Sequence, residues 1–283
     1  MKSESICFPC FVEQAHSTVQ YATRDEDKRW EVLKDTAPVL SGLDMEATPS
    51  YNSTLVLHKV YDLLGEEDPY KDAKRESNEK ALQMVPSIMD RIRASQDKLE
   101  AAVRLSVAGN VIDLGIKHDA DLEETMDAAL GEGFTRFNYE AFKDRLSASS
   151  RILYLLDNAG EIVFDKILIE GLKAHGKMVL AAVKGGPILN DATMADAEQV
   201  GLEKVVKVMD TGSNWVGVVR EKCSDVFLKA LDSADMVIAK GQGNYETLDQ
   251  EGERFFFILK AKCPHVANAL GIQKDEMALV QGS

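Results

Sequence analysis

The sequence predicts an α/β protein in two parts: an N-terminal all-helical domain over residues 1–150, and a C-terminal three-layer α/β/α Rossmann-like domain with a mostly parallel sheet over 151–283. Three observations lead there. Before residue 150 the apolar residues recur at helical steps, as in "EKALQMVPSIMDRI" and "DKLEAAVRLSVAGNVIDLG", and no stretch alternates in the manner of a strand. From Arg151 onward, short continuous apolar runs take turns with helical patterns. A chain of 283 residues with 45% hydrophobic content can bury two such cores.

In the helical half, clusters of Gly, Pro and Asp place breaks at 42–49, 65–69, 115–119 and 131–133. In the second half the expected strands are "ILYLL", "MVLAAV", "KVVKVM", "MVIA", "RFFFIL" and "MALVQ", with helices over 161–175, 193–200, 216–231 and 265–270. Strands that are apolar throughout are buried on both faces, so the helices between them must cover a parallel sheet. Right-handed crossovers then bring the C-terminal ends of the strands to one edge. Four polar or glycine-rich loops meet there: Asp157-Asn158, Lys184-Gly185-Gly186-Pro187 with Asn190-Asp191, Asp210 to Asn214, and Lys240-Gly241-Gln242-Gly243-Asn244. In open α/β sheets that edge is where ligands bind. Each loop by itself is equally well explained as a helix cap.

Composition excludes several classes of function. With 47 acidic against 33 basic residues, the net charge of −14 disfavours a nucleic-acid partner. No run approaches a membrane span, and the start lacks the apolar core of a signal peptide, so a cytoplasmic protein is expected. The five histidines form no metal-binding pair. Cys7 and Cys10 have the spacing of half a zinc site or a redox motif, and Cys263 could complete a three-sulfur cluster with them; small buried hydrophobes are the simpler reading.

Asp157, Asn158 and Asp191 offer two carboxylates and an amide oxygen. These are hard donors, suited to Mg²⁺ or Mn²⁺ rather than zinc. The helix that opens near Gly160 adds its positive end to the same spot. Lys240, leaving a buried strand, is the candidate cation for a phosphate, with Gly241 and Asn244 beside it.

The stretches "LLDNAGEIVFDKILIE", "VKGGPILNDATMADA", "DMVIAKGQGNYE" and "AVRLSVAGNVIDLG" together resemble the damage-control phosphatase family, also known as domain of unknown function eighty-nine. The cysteine pair and Lys262-Cys263-Pro264 resemble its prokaryotic branch. The resemblance covers nearly the whole chain. It implies a divalent metal (Mn, Mg, Co or Ni) held by Asp157, Asn158 and Asp191, with Asn110 and Asp113 in the cleft between the domains and Lys240 facing the substrate phosphate. Asn110 and Asp113 lie three apart and so share a helix face, while Glu161 and Asp196 are candidate supporting groups.

The expected function is metal-dependent hydrolysis of small phosphorylated metabolites. Asp157 or Asp191 would orient a water nucleophile, and Lys240 would spread the developing charge. An aspartyl-phosphate route is less favoured, because Asp157 is followed by Asn-Ala-Gly without a second acid two residues on. Two alternatives are an S-adenosylmethionine-dependent carboxyl methyltransferase and a non-catalytic phosphometabolite-binding protein. "DNAGE", with its single glycine, weakens the methyltransferase reading.

Overall fold

The computed structural model describes residues 1–108, 126–131 and 133–283. Its centre is a seven-stranded sheet in the order β1-β7-β6-β5-β2-β3-β4. The strands are β1 (Phe134–Phe137), β2 (Arg151–Leu155), β3 (Met178–Val183), β4 (Lys207–Asp210), β5 (Met236–Lys240), β6 (Phe255–Lys260) and β7 (Met277–Gln281). Every pairing is parallel except β6 with β7. β2 is central, flanked by β3 and β5, because the chain runs outward through β3 and β4 before returning to add β5 on the other side. Strand order therefore reverses at β2, which leaves a crevice at its C-terminal end.

One strand was not legible in the sequence. β1 lies before residue 150 and pairs with β7 at the sheet edge, and its middle residues Thr135 and Arg136 are exposed. An edge strand has one neighbour and tolerates polar residues, so it shows no continuous apolar run. The sheet thus begins in the half expected to be all helix. The expected helix over 216–231 starts only at Asp225, where Ser224 Oγ accepts a hydrogen bond from Phe227 N.

The helices of the first half divide between two tasks. Helices α1 (Phe8–Ala22), α2 (Glu26–Leu40) and α3 (Pro49–Leu64) enclose a core of their own around Phe11, Val19, Val32, Val56, Leu57 and Val60. Asp25 caps α2 by accepting from Asp27 N and Lys28 N. Thr48 and Pro49 open α3, and Gly65, left-handed at φ 65°, closes it. This core also takes in Ile188 and packs against Leu189 and Val216, so the three helices roof the C-terminal edge of the sheet. Helices α4 (Lys71–Ala94) and α5 (Lys98–Ala108) instead cover one face of the sheet, sharing a core with β2 and with α6 (Tyr139–Ala148) and α7 (Glu161–Ala174). The opposite face is closed by α9 (Asp225–Ser233) and α11 (Pro264–Leu270), through Phe227, Leu231, Val266 and Leu270.

Candidate active site

The floor of the site is built by backbone pairing between two loops. Beyond β2, Ala192 N donates to Asp157 O at 2.7 Å and Ala159 N donates to Asn190 O at 2.9 Å. Asn158 and Asp191 thereby face each other as an isolated antiparallel bridge. The local sequence makes this approach feasible. Gly160, at φ 78°, turns the chain directly into α7, and its N–H donates to Asn78 Oδ1 at 2.7 Å. From the other neighbour of β2, Gly241 also stands at φ 78°, and a Cβ there would lie 1.9 Å from Asp157 Oδ2. Only glycine lets the start of α10 (Gly241–Leu248) come this close to the carboxylate.

The electrostatics of the floor are those of gathered acid. Burial, then the charges of Asp191 and Glu161, hold the Asp157 carboxyl well above the usual range. Burial also raises Asp191, opposed by Lys184, whose Nζ lies 3.5 Å from Asp191 Oδ2 and donates to Gly217 O at 2.5 Å. Among the described residues, buried Asp191 Oδ2 has no hydrogen-bond partner. Asn158 Nδ2 donates to Asp157 Oδ2 at 2.9 Å and to Glu161 Oε2 at 3.3 Å, which leaves Oδ1 as the acceptor that the amide offers. Two carboxylates and one amide oxygen, with an orphaned buried oxygen among them, fit a hard divalent cation. Among the described residues no group of three or more His, Cys, Asp or Glu side chains is placed to hold a metal, so any ion here would depend on the Asn158 amide.

The loop that carries Asp191 is under backbone constraint. Leu189 sits at φ 46°, a strained conformation for a side chain branched beyond Cβ, and its N–H donates to the Tyr61 hydroxyl of α3 at 2.9 Å. Downstream, Asp196 Oδ2 accepts from Thr193 N and Thr193 Oγ1, both at 2.8 Å, capping α8 (Met194–Gln199). Asn78 joins this brace to the first loop, since its Nδ2 donates to Asp196 Oδ1 at 2.9 Å while its Oδ1 holds Gly160.

Lys240 takes a place different from the one expected for a phosphate-facing lysine. Its side chain is 0% exposed. Its Nζ donates to Glu161 Oε1 at 2.5 Å, Asp165 Oδ1 at 2.7 Å and Ser106 O at 2.9 Å. An ammonium has three donors, and all three are engaged inside the fold. Asn244 is likewise buried, with Nδ2 donating to Lys240 O at 2.7 Å, and it braces the turn from β5 into α10. Gly241 serves by having no side chain. Asn110 and Asp113 lie outside the described residues.

Above the floor is a cavity of about 160 Å³. Asp157, Asn158 and Asp191 line it, with Gln14, Ser50 and Ser53 from the roof helices and Gln242, Glu246 and Lys262 from the sheet side. Glu246 accepts from Ser50 Oγ at 2.6 Å and Gln242 Nε2 at 2.8 Å, and burial raises its pKa. Cys7, Cys10 and Cys263 also border the cavity; Cys7 is buried, which raises its thiol pKa, whereas Cys10 is exposed. Lys184, Lys262 and Asn78 are the residues that sequence reasoning did not place in the site. The first two stood in quoted motifs, whereas Asn78 gave no local signal.

Residues 4–278 match the sequence profile of the damage-control phosphatase ARMT1-like domain. The chain belongs to this family. A damage-control phosphatase of Pyrococcus horikoshii is 36% identical over 99% of this chain and 98% of its own length, and one of Archaeoglobus fulgidus is 31% identical over 98% of each. An uncharacterized protein of Methanocaldococcus jannaschii is 35% identical over 99% of this chain and 96% of its own. Among solved structures, a DUF89 family protein of Pyrococcus horikoshii superposes with a TM-score of 0.93 at 36% identity, covering all of both chains. The α/β architecture is thus that of a damage-control phosphatase domain along its whole length.

Proposed function

We propose that this protein is a divalent-metal-dependent phosphatase of small phosphorylated metabolites. The observation that carries this reading is the pairing of residues 157–159 with 190–192, which sets Asp157, Asn158 and Asp191 side by side on the cavity floor. The names of the Pyrococcus and Archaeoglobus relatives support the phosphatase chemistry.

Asp157, Asn158 and Asp191 would hold the ion. When bound, it would polarise a phosphate oxygen and acidify a water. The chain's own part is positioning. Asp157 is locked by Asn158 on one side and by Gly241 on the other. Asp191 Oδ2, which lacks a hydrogen-bond partner and lies 3.5 Å from Lys184 Nζ, would accept a hydrogen bond from the attacking water, and Lys184 favours the ionised form of Asp191. The roof helices and the buried wall around Glu246 keep the cavity small, which suits a metabolite rather than a polymer.

The test is phosphate release from a panel of phosphomonoesters with Mn²⁺, Mg²⁺, Co²⁺ and Ni²⁺ supplied separately. The expected result is metal-stimulated release that falls at least about a hundredfold in Asp157→Ala. Equal release by wild type and variant would overturn the reading.

A further inference from the structure

We propose that Tyr61 is the positioning residue for Asp191: its hydroxyl holds the turn that sets this carboxylate on the cavity floor. This rests on the reading of Asp191 as a metal ligand above.

Asp191 is delivered by a turn that its own sequence disfavours. Asp191 N donates to Ile188 O at 3.1 Å, which closes a four-residue turn over 188–191. Leu189, the first central residue of that turn, stands at φ 46°; among the described residues only Asp275 shares a positive φ without being glycine. A positive φ at the first central position alone is the pattern of a type II′ turn, where glycine is the usual occupant. A leucine persists there only if groups outside the turn hold it. Two anchors do so. On the floor side, Ala159 N donates to Asn190 O at 2.9 Å. On the roof side, Leu189 N donates to Tyr61 Oη at 2.9 Å, across 128 residues of sequence.

Tyr61 is built to be a fixed post. Helix α3 turns Val56, Leu57, Val60, Tyr61 and Leu64 into the roof core at helical spacing, so the aromatic ring is clamped by packing while its polar tip reaches the loop after β3. Its backbone is held as well, because Gly65 N donates to Tyr61 O at 2.9 Å where the helix closes. Without the hydroxyl, Leu189 can relax toward negative φ, and that relaxation shifts Asp191 relative to Asp157. Two helical turns earlier, Thr54 makes a contact of the same kind with a different loop: its Oγ1 accepts from Val216 N at 3.1 Å. Thr54 therefore separates simple docking of the roof from positioning of Asp191.

Two measurements on the full chain test this. In calorimetric titration with Mn²⁺, Tyr61→Phe should weaken binding about tenfold, whereas Thr54→Val should change it by no more than about twofold. Glycine takes a positive φ freely, so in a Leu189→Gly background the effect of Tyr61→Phe should shrink to about twofold or less. Hydrogen–deuterium exchange of the metal-free chain gives a readout that needs no ion: amides 189–192 should exchange about fivefold faster in Tyr61→Phe, with those of α3 unchanged. Unchanged exchange over 189–192 would overturn the proposal. So would an equal loss of Mn²⁺ affinity in Tyr61→Phe and Thr54→Val, or a Tyr61→Phe effect as large with Leu189→Gly as without it. Faster exchange over 189–192 in a protein whose wild type binds no Mn²⁺ would sustain the hold on Asp191 while sinking the metal reading.

Discussion

Two acidic clusters lie within one turn of each other at the end of β2, and they are managed in opposite ways. The inner one, Glu161 and Asp165 with Lys240, is fully buried and contains its own cation; Tyr154 Oη also donates to Asp165 Oδ1 at 2.7 Å. The outer one, Asp157 and Asp191, borders the cavity, and Lys184 stands 3.5 Å from Asp191 Oδ2 and is shared with a carbonyl. Burying a carboxylate is costly unless a counter-charge meets it. The inner cluster meets most of that cost with one fully buried ammonium shared by two acids, although Asp165 Oδ2 has no hydrogen-bond partner among the described residues. The outer cluster differs in bordering the cavity, with a lysine 3.5 Å away that also serves a carbonyl, so a ligand can reach it. Asn158 and Glu161 connect the two, because the Asn158 amide donates into the outer cluster and toward Glu161 of the inner one.

The largest effect should come from removing the inner cation. Lys240→Met strands Glu161 and Asp165 in the core and should cost about 3–5 kcal/mol, read as a lowered urea midpoint. Asp191→Asn relieves crowding in the outer cluster and should leave that midpoint unchanged or raised. If both variants destabilise equally, the contrast between the clusters is false. Next in size is the link. Glu161→Gln keeps the shape but weakens the grip on Lys240 and on the Asn158 amide, so Mn²⁺ affinity should fall about ten- to a hundredfold by calorimetry. Unchanged affinity would mean that the outer site is oriented without the inner one.

The smallest effect is a pH dependence. Burial, with Glu161 adding its charge against the pull of Lys240, pushes Asp165 from 3.8 up to about 7. Between those values the folded chain binds more protons at this site than the unfolded chain. Stability from this residue therefore falls as pH rises through that window. The urea midpoint of Asp165→Asn should accordingly drop less between pH 5 and pH 8 than that of wild type. An identical drop in both would remove Asp165 from the account.

Much of the fold was readable because burial leaves a periodic trace. β2, β3, β5, β6 and β7 show as continuous apolar runs, whereas β1, at an edge and half polar, leaves none. The floor was readable for a related reason: a buried strand followed at once by Asp157-Asn158 can only deliver those groups to the edge where strands end. The sequence marks Gly241 only as a loop residue, and its purpose lies in the tertiary contact, where a Cβ would come within 1.9 Å of Asp157 Oδ2. Asn78 and Tyr61 carried no mark at all, since a polar residue inside an amphipathic helix looks the same whether it meets solvent or a distant loop.

The sequence by itself determined the succession of the six strands from β2 to β7, the identity of the loops at the strand ends, and the hard-oxygen donors that Asp157, Asn158 and Asp191 offer. Tertiary structure alone decided which cation meets which acid. Lys240 is 75 residues from Asp165 and 134 from Ser106, and nothing local tells it to turn inward. Charge pairing acts through space and depends on how far each group is desolvated, a quantity that exists only once separate segments have packed. That is why the lysine at the end of β5 reads as a phosphate ligand in one dimension and proves to be the core's own counter-ion in three.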